Sequence, residues 1–144
     1  MIAHFSRRYT FSASHRLHVD HFSAEQNRVA FGKCNNPHGH GHNYVVQVTV
    51  SGPVDPATGM VLNMATLDAA VHTAVLDRFD HRNLNHDPLF AGQTSTTENL
   101  CCEIYHLLAS ILSPVTLRSV RIEETENNFF EYSRTSLAAA SHAT

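Results

Sequence analysis

Three imidazoles and a thiol fall within the run Cys34-Asn35-Asn36-Pro37-His38-Gly39-His40-Gly41-His42-Asn43-Tyr44. Neutral imidazole and thiolate bind transition metals and move protons near neutral pH. The run continues into Tyr44-Val45-Val46-Gln47-Val48-Thr49-Val50, a β-branched segment that reads as a strand over residues 42–50. Side chains two apart on a strand share a face. His40 and His42 therefore point one way, with Tyr44, Val46, Val48 and Val50. An earlier alternating run, Ala3, Phe5, Tyr9, Phe11, Ala13 and His15, ends its apolar face on another imidazole. Antiparallel pairing of the two segments would bring His15 to His40 and His42. Three histidines without a fourth protein ligand describe a catalytic zinc site with an open position. His38 extends the spacing, and the glycines at 39 and 41 permit a shifted register in which it is a ligand. With twelve histidines in 144 residues, some of this spacing can arise by chance, and His15 alone also reads as a core residue.

Three further features could carry chemistry. Cys34 is the cysteine in a polar loop, where a thiolate can act as base or nucleophile. Asp80-His81 sets a carboxylate beside an imidazole in a second polar stretch, and either could reach Cys34 in the fold; the plain reading is a solvated loop after a helix. Glu124 continues the apolar face of Val120 and Ile122, where a carboxylate must be paired. It could grip a guanidine-like ligand edge through two hydrogen bonds, or pair with Arg118 or Arg121.

The elements that must position these groups follow from periodicity. Residues 2–15 form the first strand and 16–33 a long loop, of the kind that is usually functional. Turn residues follow at Ser51-Gly52-Pro53 and Asp55-Pro56-Ala57-Thr58-Gly59, and Met60 to Leu62 adds a short extended piece. Asn63 caps a helix from Met64 to Asp77 that buries Leu67, Ala70, Val71, Ala74 and Val75. Ser95 with Glu98 fits a capping box for a helix reaching Leu112, stopped by Ser113-Pro114. Strands over residues 117–124 and 129–134 close the chain, the second turning Phe130 and Tyr132 to the core. A tail from Leu137 to Thr144 is expected to fray. The order β-β-α-α-β-β implies an α+β layer, a four-stranded antiparallel sheet with two helices on one face.

Composition excludes several classes. The apolar share is 42%, the charged share 16% and the net charge −3, which fit one globular domain without a nucleic-acid partner. No apolar stretch reaches membrane-spanning length, and no signal-peptide pattern opens the chain, so the expected location is the cytoplasm. Cys34, Cys101 and Cys102 are odd in number, which argues against a disulfide framework.

These residues carry a resemblance. Phe11-Ser12-Ala13-Ser14-His15-Arg16-Leu17, Phe31-Gly32-Lys33-Cys34-Asn35-Asn36-Pro37, Gly39-His40-Gly41-His42-Asn43-Tyr44, Asp55-Pro56-Ala57-Thr58-Gly59-Met60, Asp80-His81, Ser95-Thr96-Thr97-Glu98-Asn99 and Glu124-Thr125-Glu126-Asn127-Asn128 resemble, in order, the 6-pyruvoyltetrahydropterin synthase family over about residues 7 to 132. The resemblance implies a tunnelling fold over residues 1–136, joined into a barrel by a dimer of trimers with active sites at subunit boundaries. It implies zinc on His15, His40 and His42, Cys34 as proton-abstracting base, and Asp80 and His81 as its activating relay. Glu124 would hold the pterin, helped by Thr96, Thr97 and Glu98. The implied activity is that of a carbon–oxygen lyase acting on a phosphate ester. It turns 7,8-dihydroneopterin triphosphate into 6-pyruvoyltetrahydropterin with loss of triphosphate and no redox cofactor.

His38 departs from the asparagine expected before Gly39-His40. It creates a His38-Gly39-His40 pair with Cys34 four residues ahead, a spacing that resembles the 6-carboxytetrahydropterin synthases of the queuosine pathway, which release acetaldehyde. The six-residue step from Cys34 to His40, Asn43-Tyr44 after His42 and the Glu124 run favour the pyruvoyl branch. A metal-binding homologue without chemistry is the alternative of another class, against which the presence of Cys34, Asp80 and His81 argues. Lys33, Arg16, Arg28 and Arg82 are all candidates for the triphosphate.

Overall fold

In the computed structural model, which describes residues 1–113 and 116–134, two fourteen-residue strands form the frame. β1 (Ile2–His15) and β2 (His40–Pro53) pair antiparallel along their whole length, from Ile2 opposite Pro53 to His15 opposite His40. β-Branched and aromatic residues at every second position give each strand a face that can be buried, and this fixes the register. β4 (Leu117–Glu123) pairs with β2, and β5 (Phe129–Ser133) with β4, both antiparallel.

The sheet has five strands where four were expected. β3 (Arg82–Asn83) adds to the outer edge of β1 and runs parallel to it, giving the order β3-β1-β2-β4-β5 and a mixed sheet. Two residues are too few for any periodicity to show. What holds β3 is backbone bonding just before it, where His81 N–H donates to the Ser12 carbonyl at 2.6 Å.

One face of the sheet is covered by helices. α2 (Met64–Val71), capped by the Asn63 side chain, continues through a π-helical turn (His72–Leu76) into α3 (Asp77–Phe79). α4 (Thr97–Ile111) lies beside it. Leu67, Val71, Val75, Phe79, Leu100, Ile104 and Leu108 from the helices meet Phe11, Tyr44, Val46, Val48, Val50, Val120 and Ile122 from the sheet, all buried. Phe130 and Tyr132 are half-buried and Tyr132 packs on this core.

Other expectations change. The expected loop over 16–33 contains α1 (Ala24–Phe31) and leads into a 3-10 turn (Gly32–Asn35). α1 buries no apolar side chain, only Asn27, whose amide binds the backbone of Val19, Phe22 and Ser23. It therefore carries no apolar period. Its one written signal is the capping box of Ser23 and Gln26. Residues 60–62 form no strand. α4 is capped by Thr96, whose hydroxyl accepts from Asn99 N–H at 3.2 Å, not by Ser95. Pro114 and the expected tail at 137–144 lie outside the described residues.

Asp87 links the helical layer to the loop before α4. It receives Arg78 through two bonds of 2.8 Å and accepts from Leu89 N–H at 3.0 Å, capping the turn Pro88–Phe90. Hydrogen bonds from Arg78 hold its carboxyl below the usual carboxylate range. Because the folded pKa lies below the unfolded one, this stabilisation is full above the unfolded pKa and disappears as pH falls through the folded value. Asp87→Asn should lose about 2 kcal/mol at pH 7 in urea unfolding, and the gap from the parent protein should close as the pH falls below about 4.

Candidate metal centre

The register of β1 and β2 builds the site. His15 lies opposite His40 and Ala13 opposite His42, so three imidazoles gather at one end of the ladder on the helix-covered face. Their ring centroids are 4.7, 5.2 and 4.8 Å apart, and one nitrogen from each lies within 4.8 Å of the others. Gly39 makes this closure possible. It has φ 72°, and a Cβ there would sit 3.0 Å from the His15 carbonyl oxygen.

Each ring is oriented by its surroundings. His15 is buried, and its Nδ1 donates to the Ser95 carbonyl at 2.7 Å, which leaves Nε2 with a free lone pair facing the others. His15 Nε2 and His40 Nε2 are 3.1 Å apart. His42 Nε2 is buried without a hydrogen-bond partner. Burial, ahead of every other influence, lowers the pKa of His15 and of His42, so both rings are neutral near pH 7. A buried nitrogen without a partner is costly unless something else takes its lone pair. Nitrogens on a tetrahedral divalent ion lie about 3.3 Å apart, close to the His15–His40 spacing. The three residues fit a metal ion.

Glu124, just past β4, reaches this cluster. Its Oε1 is 3.4 Å from His42 Nε2 and 3.9 Å from His15 Nε2. Thr97 Oγ1 donates to Oε1 at 2.8 Å, and Asn128 Nδ2 to Oε2 at 3.1 Å. Glu124 pairs with neither Arg118 nor Arg121; Arg121 instead lies over the Phe129 ring and 3.6 Å from Glu123. Tyr44 lies under the cluster, its ring 5.4 Å from that of His42. Burial, then the charge of Glu124, raises its hydroxyl pKa.

The other sequence candidates divide. Cys34 sits half-buried on the 3-10 turn, its carbonyl held by Leu17 N–H at 2.9 Å. Thr97 is at the carboxylate, Thr96 caps α4, and Glu98 is exposed in the helix's first turn. His38 is exposed and outside the triad. Asp80 and His81 lie at the β3 edge of β1. Asp80 Oδ1 accepts from Ser12 N–H at 2.9 Å and is 3.0 Å from His81 Nδ1, and the first of these bonds leads in lowering the carboxyl's pKa. His81 holds a left-handed φ of 58° and lines a basin with Ser12 and Asn43, which alternate away from the helices, and with His42. Among the described residues, this dyad bonds neither Cys34 nor the triad. Ser95 and Asn128 were not expected at the site. Ser95 acts through its carbonyl, which its residue type does not announce; Asn128 was written only as part of a motif.

An α+β layer that presents three converging imidazoles and a hydrogen-bonded carboxylate has a donor set that could hold a metal beside a polar ligand. Comparison with known proteins makes the class specific. Residues 4–135 match the family model described as 6-pyruvoyl tetrahydropterin synthase. The Homo sapiens 6-pyruvoyl tetrahydrobiopterin synthase is 50% identical over 131 residues, 90% of each chain. The solved Caenorhabditis elegans 6-pyruvoyl tetrahydropterin synthase has a TM-score of 0.89 at 44% identity, over 94% of this chain and 97% of that one. A putative 6-carboxy-5,6,7,8-tetrahydropterin synthase of Archaeoglobus fulgidus is 34% identical over 113 residues, 78% of this chain and 90% of its own. The chain belongs to the 6-pyruvoyl tetrahydropterin synthase family.

His42→Ala should lose metal affinity by more than the roughly 10–100-fold typical of partners outside the coordination sphere, while His38→Ala should keep a full complement. Metal analysis of the purified proteins checks both; stoichiometric metal in the His42 variant would return His38 as ligand.

Proposed function

We propose that this chain is a zinc-dependent 6-pyruvoyltetrahydropterin synthase. It acts in the cytoplasm on 7,8-dihydroneopterin triphosphate and releases triphosphate. The observation that carries the reading is the convergence of His15, His40 and His42 beside a carboxylate fixed by Thr97, in a chain 50% identical to a 6-pyruvoyl tetrahydrobiopterin synthase. Three imidazoles without a fourth protein ligand are the donor set of a zinc site with a position open to substrate. Bound zinc supplies Lewis-acid polarisation of a substrate side-chain oxygen.

The chain's own groups supply the rest. Glu124 receives the amino and ring N–H edge of the pterin. Each of its oxygens already accepts one protein hydrogen bond, from Thr97 or Asn128, and keeps a second lone pair for the ligand. Cys34 as thiolate takes protons from the substrate side chain and returns them, so that oxidation and reduction stay within one molecule. Asp80 and His81 relay the proton. His81 lines a basin with Ser12, Ser14 and Asn43, which alternate away from the helices, and with His42. The pair bonds no group of its own triad or Cys34 among the described residues, which suits service to a second copy of the chain.

Assembly as a homohexamer, a dimer of trimers of the domain formed by residues 1–136, supplies that copy. The sheet supports it. β3 covers only Ala13 and Ser14 on the outer edge of β1, and Asp80 and His81 bond Ser12, so its Ile2–Phe11 stretch is a long open edge of the kind that recruits another strand. The carboxytetrahydropterin alternative is weaker, since its relative is 34% identical.

Incubation with 7,8-dihydroneopterin triphosphate should yield 6-pyruvoyltetrahydropterin and triphosphate. Acetaldehyde as product would assign the carboxy branch. Cys34→Ala should reduce turnover by at least about a hundredfold with zinc retained; unchanged turnover would remove the thiol from the mechanism. Glu124→Gln should keep zinc and raise the pterin Kd by about tenfold. Equal affinity would leave Glu124 a structural residue.

A further inference from the structure

Glu124 stands close to becoming a fourth metal ligand. Its Oε1 lies 3.4 Å from His42 Nε2 and 3.9 Å from His15 Nε2, and donors on a tetrahedral divalent ion are about 3.3 Å apart. Carboxylate oxygens are ordinary ligands for such an ion. Yet the described ligand atoms that converge within 4.8 Å of one another come from His15, His40 and His42 and leave Glu124 out. Four protein ligands close a site in the manner of a structural zinc, whereas three keep a position open. Something must therefore hold the carboxylate back.

The oxygen nearer the imidazoles has one protein donor among the described residues. Thr97 Oγ1 donates to Oε1 at 2.8 Å, while Asn128 Nδ2 serves the other oxygen, Oε2. Thr97 is buried at the start of α4. Its single hydroxyl proton goes to Glu124, and its oxygen keeps lone pairs that can accept. Beside it lies a donor without an acceptor. Tyr44 is fully buried, and its hydroxyl has no hydrogen-bond partner among the described residues. The β2–β4 ladder runs to Val45 opposite Glu123. Tyr44 and Glu124 come next on their strands, on the helix-covered face of Val46 and Ile122. Burial, then the charge of Glu124, raises the pKa of the phenol, and the Thr97 side chain is near enough to act in the other direction. The phenol keeps its proton, and a buried donor left unpaired is costly.

We propose that Tyr44 and Thr97 form a latch that keeps Glu124 off the metal and so holds the fourth coordination position open. In the latch the Tyr44 O–H donates to Thr97 Oγ1, and the Thr97 O–H donates to Glu124 Oε1. Donation by Tyr44 removes the alternative in which Thr97 turns its proton to the phenol oxygen and releases the carboxylate. It also polarises the Thr97 hydroxyl, which strengthens the bond to Glu124. Tyr44 is thus a positioning residue that acts through Thr97, with its ring 5.4 Å from that of His42. The inference rests on the metal binding proposed above. Without the latch, the carboxylate assigned to the pterin would compete with the substrate for the ion.

The test uses protein loaded with cobalt(II), whose visible spectrum reports the ligand set, and azide as a probe of the open position. Tyr44→Phe removes one oxygen and keeps the ring stacked on Phe11 at 5.1 Å. Thr97→Val removes the hydroxyl at similar size. Each variant should change the cobalt spectrum before azide is added and weaken azide binding by about tenfold. Thr97→Ser, which keeps the hydroxyl, should match the parent. Combining Tyr44→Phe with Glu124→Gln should return azide affinity to that of Glu124→Gln alone, a recovery that general damage to the core would not give. Four results would overturn the proposal: no cobalt uptake or azide binding by the parent, parent-like azide binding in either Tyr44→Phe or Thr97→Val, as large a loss in Thr97→Ser, or no recovery in the combined variant. Should Tyr44→Phe fail to fold, Thr97→Val with and without Glu124→Gln decides by the same criteria. If the latch behaves as expected in a parent that does not convert dihydroneopterin triphosphate, the latch stands and the reaction falls. Conversion by the parent with azide affinity unchanged in the variants sinks the latch and keeps the reaction.

Discussion

The cross-strand ladder between β1 and β2 decides where the imidazoles meet. It runs unbroken from Ile2 opposite Pro53 to His15 opposite His40. A slip of one residue would turn His40 and His42 to the other face and set Gly41 and Asn43 against the helices. The buried Tyr44, Val46, Val48 and Val50 forbid that slip, because it would expose them all. The apolar face thus fixes the geometry of a polar site that contributes little to stability itself. Thr97 on α4 and Glu124 after β4 are tied to the same frame, since α4 packs its Leu100, Ile104 and Leu108 on the sheet.

Burying three imidazoles close together is unfavourable without a ligand. His42 Nε2 has no hydrogen-bond partner, and neighbouring rings would repel one another if charged. Burial lowers the pKa of His15 and His42 enough to hold the lone pairs free of protons. The same burial that would destabilise an empty site lets a metal bind without competing protons. Glu124 balances the local charge. Its carboxylate favours the protonated ring, against the desolvation of His15 and His42, and desolvation is the larger influence at both.

Where side chains alternate over many residues, the sequence was legible. β1, β2, α4 and the helix starting at Met64 all bury wide apolar stripes, and the His15, His40 and His42 cluster followed from two strand periods and one pairing. Legibility fails where structure rests on backbone or polar bonds. α1 packs through the amide of Asn27, and β3 is two residues held by backbone bonds beside Ser12. The cap of α4 shows the same limit: Ser95 and Thr96 offer identical hydroxyl chemistry one residue apart. The choice falls on Thr96 in a structure where the Ser95 carbonyl serves His15. The two faces of the sheet were also beyond reach for Asp80-His81, because the short β3 that sets them was not visible.

That placement bears on why so small a sheet keeps an open edge. The triad lies under the helices, while His81 lines a basin with Ser12 and Asn43, beside the part of β1 where β3 ends. Had β3 run the length of β1, that edge would be closed. An edge strand left long and open is ordinarily an aggregation hazard. Here Ile2 is exposed at its outer end, and Arg8 and Glu123 bridge the outward face across the intervening strand β2. Charges on that face disfavour unspecific stacking, while the backbone edge stays available to a partner strand in a defined register. The same open edge that a single chain leaves unpaired is thus suited to a strand from another chain.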